Sequence, residues 1–168
     1  MYTRVAPLLT VLLFIALSCK KAPAEVIVAP ESQELSYAQE KQSILTALNN
    51  ETKAAFQRDY NAWQNYWVHD PNITKVYLDF PENTFSESLG WEEIDQFVKT
   101  FFEEHPEPEP VPKLLDSIEV KLYDKGAWVT YEQQDSIRGL KRETRLMEKV
   151  DGQWKIAGMQ TTIYGFEQ

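Results

Sequence analysis

Residues that could carry acid, base or metal chemistry are sparse in this sequence of 168 residues. Its two histidines, His69 and His105, are far apart in the chain, and neither has a partner at the His-x-x-x-His spacing of a metal site. No Gly-x-Ser-x-Gly motif is present, so the sequence does not predict a serine nucleophile of that class. We therefore expect no metal ion and no cofactor.

The only cysteine, Cys19, follows an apolar segment at the N-terminus. After Arg4, the run from Val5 to Leu17 has the length of a signal-peptide core and is too short for a permanent membrane span. The run ends at Ser18, directly before Cys19, and this pattern resembles the lipobox of bacterial lipoproteins. Acyl chains on Cys19 would anchor the protein, since each buried methylene contributes about 0.8 kcal/mol of membrane affinity. The alternative is an incidental thiol in an ordinary signal peptide.

The charge of the chain argues against nucleic acid as a partner. Without residues 1–18 the chain loses Arg4, so that 16 basic residues face 26 acidic ones and the net charge is −10. Phosphate binding needs a basic surface, which this composition does not predict. The expected partner is instead the lipid bilayer, through acylated Cys19. Lys20, with no aspartate after Cys19, resembles the sorting signal for the periplasmic face of the outer membrane in Gram-negative bacteria.

Composition and periodicity divide the chain into a signal peptide (1–18), a flexible tether (19–32) and one domain (33–168). The domain is expected to contain three helices, a short hairpin, a proline-rich connector and a four-stranded meander. The predicted helices are Gln33–Arg58, Asp59–Asp70 and Gly90–Glu104, the hairpin strands Ile73–Phe80 and Thr84–Ser88, and the meander strands Leu114–Tyr123, Ala127–Gln134, Lys141–Val150 and Gln153–Tyr164.

This order of elements resembles the nuclear-transport-factor-2-like superfamily, which includes SnoaL-like cyclases and ketosteroid isomerases. The segments that carry the resemblance are Ala55–Asp70, Gly90–Ile94 and Glu148–Ile156. The resemblance implies an α+β fold in which a cone-shaped, curved antiparallel sheet wraps around the N-terminal helices. It also implies a pocket on the concave face of that sheet, without fixing what the pocket does.

The isomerase branch of the superfamily implies a test for catalysis. Asp79 falls at about the place of its general base, whereas the position of its oxyanion-hole tyrosine falls near Glu51. Gln160 stands where many relatives carry a histidine, and an amide cannot transfer a proton at neutral pH. No catalytic residue is therefore assigned, except Asp79 if the protein is an enzyme; a solvated turn cap before Pro81 is its alternative role.

On such a fold a set of aromatic side chains would point inward, either as core or as the wall of a pocket. With polar residues from the strands, the expected ligand pocket consists of Trp63, Trp67, Tyr77, Asp79, Phe97, Phe101, Tyr131, Arg145, Gln160 and Thr162.

Three functions remain open at this point. The first is an envelope lipoprotein that binds a small apolar molecule without catalysis. The second is a SnoaL-like isomerase or dehydratase that acts on a hydrophobic carbonyl compound, which requires Asp79 to lie in the cavity. The third is an assembly domain whose cavity is plugged by its own aromatic residues. A homodimer through the outer face of the sheet, with Trp128 or Tyr123, is also expected.

Overall fold

The computed structural model describes residues 30–166, with side chains from residue 36. The predicted signal peptide, Cys19 and most of the predicted tether lie outside the described residues. The helices of the described part are α1 (Pro30–Phe56), α2 (Tyr60–Gln64) and α3 (Gly90–Glu104). Its strands are β1 (Thr74–Asp79), β2 (Thr84–Leu89), β3 (Glu119–Leu122), β4 (Gly126–Asp135), β5 (Gly139–Val150) and β6 (Gln153–Gly165).

The predicted α+β fold class is confirmed. Six strands form one sheet in the order β2-β1-β6-β5-β4-β3. All neighbours are antiparallel except β1 and β6, which are parallel. The sheet is therefore mixed, and the predicted antiparallel pairing holds for every pair except this one. The long connection through β2, α3 and three further strands brings β6 back in the same direction as β1.

A β-bulge in β6 decides which of its residues face the helices. Leu146 pairs with Gly158 and Met147 pairs with Ile156, so Ala157 has no partner on β5. Before the bulge the even-numbered residue Ile156 is fully buried, and from Met159 onward the odd-numbered residues are the buried ones. A bulge bends its strand and increases the local twist, which is how a sheet curves around a helix.

The core lies between the concave face of the sheet and the helices. Ile44 and Leu48 of α1, Ile94 of α3, and Val129 and Met147 of the sheet are all at most 1% exposed. Burying each of these side chains contributes roughly 1.5–3 kcal/mol, so the core alone gives the helices a fixed position on the sheet.

The second helix is shorter than predicted. Asp59 caps it as expected, because its Oδ1 accepts a hydrogen bond from the Ala62 N–H at 2.9 Å. The chain then leaves the helix to pair with β6: Val68 N donates to Ile156 O at 2.9 Å, and Ile156 N donates to Tyr66 O at 2.8 Å. The aromatic periodicity up to Asp70 was thus misread as one continuous helix.

The third helix has the predicted bounds. Glu93 Oε2 accepts the Leu89 N–H at 2.8 Å, which satisfies one donor at the start of the helix. Gly90, with φ of 76°, allows the abrupt change from β2 to α3 that a residue with a side chain would resist. Among residues 30–166 no helix has the length and apolar character needed to cross a membrane.

The proline-rich connector and the residues that follow it pack against the last turns of α1. Asn49 Nδ2 donates to Leu115 O and Asn49 Oδ1 accepts from Leu115 N, both at 2.9 Å. Closer to α3, Glu109 N donates to Phe56 O at 2.9 Å. This connector therefore holds Glu109 beside the open end of α1, where it becomes part of the candidate site.

Candidate functional site

The concave face of the sheet and the helices enclose a cavity of about 420 Å³. That volume lies in the range of small-molecule sites. Six of the ten residues predicted for the pocket line it, namely Trp63, Tyr77, Asp79, Phe97, Phe101 and Arg145.

Two more of the predicted residues belong to the core around the cavity and do not line it. Trp67 is fully buried, and its Nε1 donates to Glu51 Oε1 at 3.2 Å. Tyr131 is half-buried and packs against the core on the inner face of β4. These two side chains pack behind the residues that line the cavity.

Gln160 and Thr162 lie on the other face of the sheet, so their placement in the pocket was wrong. The bulge at Ala157 shifts the inward phase of β6 by one residue, and Met159 and Thr161 line the cavity instead. Gln160 is exposed and its amide lies near the Thr162 hydroxyl at 3.5 Å. Without the bulge, the two-residue period that starts at the buried Trp154 and Ile156 would have brought them inside.

A buried charge cluster on β5 forms the polar side of the cavity. The Arg145 guanidinium donates from Nη1 to Glu143 Oε2 at 2.6 Å, and Thr161 Oγ1 donates to the same oxygen at 2.6 Å. Lys141 Nζ lies 3.4 Å from Glu143 Oε1 and 3.6 Å from Asp135 Oδ2. Burial raises the pKa of the Glu143 carboxyl, but Arg145, Lys141 and the Thr161 hydroxyl outweigh it and hold that pKa below its usual value.

One donor of this cluster has no acceptor. Arg145 Nε is buried and forms no hydrogen bond with any of residues 36–166. Burial would lower the pKa of Arg145, but the charge of Glu143 raises it above its usual value, so the guanidinium stays charged. A buried polar group without a partner costs about 1–3 kcal/mol, and such groups concentrate at functional sites.

Lys75 is the cation on the aromatic side of the cavity. Its Nζ lies 5.3 Å from the ring centres of Trp63 and Phe97, and 5.4 Å from those of Trp67 and Tyr77. The residue is only 6% exposed and lines the cavity. Within residues 36–166 it has neither a hydrogen bond nor an ion pair. Four rings around one ammonium form an aromatic cage, which attracts cations through the ring faces.

The protonation of Lys75 is set by burial more than by its neighbours. Burial lowers the pKa of Lys75 to about 8. The nearby negative charges of Glu51 and Glu143 raise it in part, and the positive charge of Arg145 lowers it. Burial also raises the pKa of the Tyr77 phenol, whose hydroxyl has no hydrogen bond to the described side chains and stays a donor.

Glu51 occupies the position for which the isomerase resemblance implied a tyrosine. Its Oε1 accepts the indole N–H of Trp63 at 2.8 Å and that of Trp67 at 3.2 Å. The carboxylate thus fixes the orientation of both indoles beside Lys75. It is an acceptor here and offers no donor to an enolate oxygen.

Asp79 lines the cavity near its rim and is half-exposed. Its Oδ1 accepts the Glu82 N–H at 3.1 Å, which stabilises the turn between β1 and β2. The turn-cap role expected as the alternative for Asp79 is therefore present. The position inside the cavity that the enzyme hypothesis required is present as well.

A second charged group lies at the end of α1. Glu109 pairs with Arg58 through a short contact, and Arg138 Nη1 donates to Glu109 Oε2 at 3.0 Å. The Arg58 guanidinium also lies 5.0 Å from the ring centre of Phe101. Burial raises the pKa of Glu109, but both arginines outweigh it and lower that pKa overall.

Sequence reasoning missed most of the charged lining. Lys75, Glu143 and Lys141 were not predicted, although a signal for them exists. Lys75 shares its strand face with Tyr77, and Lys141, Glu143 and Arg145 recur at every second position before the buried Met147. Glu109 had no comparable signal, because its partners are distant in sequence and it lies in a proline-rich segment.

No family model matches this chain, and no curated protein matches it. Solved structures do. A nuclear transport factor 2-like superfamily protein from Salmonella enterica serovar Typhimurium has a TM-score of 0.57 at 15% identity, over 79% of this chain and 94% of that one. A cystatin-like fold protein from Burkholderia xenovorans has a TM-score of 0.56 at 18% identity, over 75% and 92%.

A nuclear-transport-factor-2-like protein of unknown function from Shewanella oneidensis is similar at a TM-score of 0.53 and 19% identity, over 72% of this chain and 97% of that one. Identities this low carry information about the fold and none about a ligand or reaction. The chain therefore has the nuclear-transport-factor-2-like, cystatin-like fold that its sequence predicted.

Proposed function

We propose that this protein is an envelope lipoprotein whose domain binds a small molecule with an apolar body in the cavity on the concave face. The observation that carries the proposal is the unpartnered Lys75 ammonium between four aromatic rings. A charged side chain that is largely buried costs free energy unless something compensates it, and Lys75 is only 6% exposed. A bound ligand with an oxygen acceptor would supply that compensation.

The two sides of the cavity differ in a way that suits an amphipathic ligand. Trp63, Phe97 and Phe101 offer flat apolar surface, while Lys75 and the Tyr77 hydroxyl offer donors. Small-molecule sites combine an apolar wall with a few polar groups that fix orientation. The cavity volume of about 420 Å³ also argues against the assembly domain with a plugged cavity.

Binding without catalysis is the reading that the polar groups favour. Asp79 is engaged by the turn to Glu82, Glu51 is engaged by two indoles, and Gln160 lies outside the cavity. The alternative, an isomerase or dehydratase with Asp79 as base, keeps one favourable observation, since Asp79 does line the cavity. It lacks a paired donor for the enolate oxygen at the position of Glu51.

Fluorescence titration tests the binding proposal. The full chain, purified in detergent, is titrated with 2-naphthoate and with 2-naphthylmethanol, using the emission of tryptophans such as Trp63 in the wall. We expect saturable quenching by at least one of them. Ser86→Trp places a bulky ring on an exposed residue of the lining and should weaken binding at least tenfold. Phe85→Trp on the outer face of the same strand is the matched control. Equal binding by both variants contradicts the proposal.

The envelope location is a proposal from the sequence, because Cys19 lies outside the described residues. Acylated Cys19 would hold the protein on a bilayer, at the periplasmic face of the outer membrane of a Gram-negative bacterium. Cys19→Ser should abolish labelling by an alkynyl fatty acid and move the protein out of the detergent phase in a Triton X-114 partition. Equal labelling of the variant would contradict the anchor.

A further inference from the structure

We propose that Lys75 is a point of reversible covalent attachment: its Nζ condenses with the carbonyl carbon of an apolar aldehyde or ketone in the cavity to form a protonated imine. This inference deepens the proposed function and rests on it. It assigns the ligand to carbonyl compounds and names the atom that binds them.

The first support is that the Lys75 amine takes no part in the polar contacts that stabilise the fold. Lys75 lines the cavity without a hydrogen bond or ion pair to residues 36–166. Lys141, a second buried lysine of the same cavity, makes the contrast, because Asp135 and Glu143 lie 3.6 Å and 3.4 Å from its Nζ. These two ion pairs occupy the Lys141 nitrogen. Of these two lysines, only Lys75 has a nitrogen free to react.

The second support is the fraction of neutral amine. With the pKa of Lys75 at about 8, roughly a quarter of the side chain is neutral at pH 7.5, whereas an exposed lysine of ordinary pKa is neutral to roughly 0.1%. Desolvation in an apolar pocket is a recognised way to activate a lysine for imine formation. The charges that act on Lys75 come from Glu51 of α1 and from Glu143 and Arg145 of β5, while Phe97 is its uncharged neighbour on α3.

The third support is that the product suits the same cage. The ammonium and the carbonyl compound give the protonated imine and one water: a carbon–nitrogen double bond forms, the carbon–oxygen bond breaks, and the oxygen leaves with two protons from Nζ. The positive charge stays on Lys75, so the attraction of the rings of Trp63, Tyr77 and Phe97 is retained. The apolar substituents of the former carbonyl compound then pack on those rings.

Reductive trapping tests the inference. The full chain is incubated at pH 7.5 with 2-naphthaldehyde and cyanoborohydride, and the modified lysine is identified by peptide mass mapping. We expect one naphthylmethyl group at Lys75, added at least about tenfold faster than at the exposed Lys121 or the ion-paired Lys141, because neutral amine is the nucleophile. The rate at Lys75 should rise with pH and level off above about pH 8.

Lys75→Arg keeps the charge and removes the nucleophile, so the fast modification should be lost while the exposed Lys121 is modified at its wild-type rate. The peptide mass mapping of the wild-type chain does not need this variant, so it tests the inference even if Lys75→Arg does not fold. Modification spread over lysines according to their exposure, with quenching by 2-naphthylmethanol intact, would overturn the imine and leave the binding site standing. No quenching by either naphthyl compound and no preference for Lys75 would overturn both.

Discussion

Glu143 and Arg145 occupy alternate positions on β5, and the guanidinium donates from Nη1 to the carboxylate at 2.6 Å although both residues are at most 3% exposed. Such a pair is costly to bury and becomes far more costly when one partner is removed. The pair also holds the polar side of the cavity opposite the aromatic cage of Lys75.

Glu143→Gln tests how much this buried ion pair contributes to the stability of the fold. The amide leaves Arg145 buried without its carboxylate and leaves Lys141 with Asp135 alone, so we expect a loss of roughly 3–5 kcal/mol in the free energy of unfolding, measured in urea. Glu132→Gln is the matched control, since Glu132 meets Arg142 at 2.7 Å on the exposed face and such pairs contribute little. Equal effects of the two substitutions would contradict the role assigned to burial.

Lys75→Met tests the pKa of Lys75 through stability. The folded protein binds the proton with a pKa of about 8, below that of the unfolded chain, so unfolding takes up a proton between these values and stability rises with pH in that window. Relative to the methionine variant, the wild type should gain about 2 kcal/mol between pH 7 and pH 9.5. A constant difference across this range in urea unfolding would show that Lys75 has an ordinary pKa.

Gly139→Ala tests the start of β5. A Cβ at Gly139, where φ is 80°, would lie 2.3 Å from the carbonyl carbon of Gly165, whereas at Gly152, with φ of 78°, nothing lies within 4 Å. Gly152→Ala should therefore cost only the backbone strain of about 1–2 kcal/mol. Gly139→Ala should cost at least about 2 kcal/mol more in chemical unfolding, from overpacking against the neighbouring strand. Similar losses would mean that β5 and β6 approach each other less closely at this point.

Asp79→Asn separates the two roles of Asp79. The amide oxygen can still accept the Glu82 N–H, so the turn should persist and the affinity for 2-naphthoate should stay within about twofold. Any exchange of the α-protons of 2-tetralone, followed by NMR, should also be unchanged by the substitution. Loss of exchange with binding intact would make Asp79 a base and support the isomerase alternative.

Trp128→Arg tests the expected homodimer. Trp128 is 48% exposed on the outer face of β4, and its neighbour on β5, Leu146, is 40% exposed. An apolar patch of this kind favours self-association, which a charged residue opposes. Sedimentation of the full chain in detergent should shift from dimer toward monomer with the variant. A wild-type monomer would refute the dimer.

The sequence predicted elements whose signals are local. Both ends of the third helix were predicted correctly because its apolar periodicity lies between Gly90 and a proline-rich segment. The second helix was predicted too long, since the pairing of Val68 with Ile156 is a long-range contact that aromatic spacing does not reveal. Gln160 was misplaced for a related reason: the bulge at Ala157 follows from the curvature of the whole sheet.

The residues of the candidate site also divide into those that the sequence predicted and those that it did not. Aromatic residues such as Trp63 and Phe97 could be predicted because the fold that the sequence resembles places them on the faces that point toward the cavity. Lys75 and Glu143 were missed because charged residues are usually exposed. Only the assembled cavity shows that these charges are buried.

Native mass spectrometry of the full chain, released in detergent from the membranes of the cells that make it, tests the central claim most directly. We expect a fraction of the protein to carry one additional small molecule beyond its acyl chains. That adduct should be lost in Ser86→Trp, kept in Phe85→Trp, and made permanent at Lys75 by borohydride before release. A wild-type chain that carries no such molecule, with no adduct that Ser86→Trp lacks, would contradict the account.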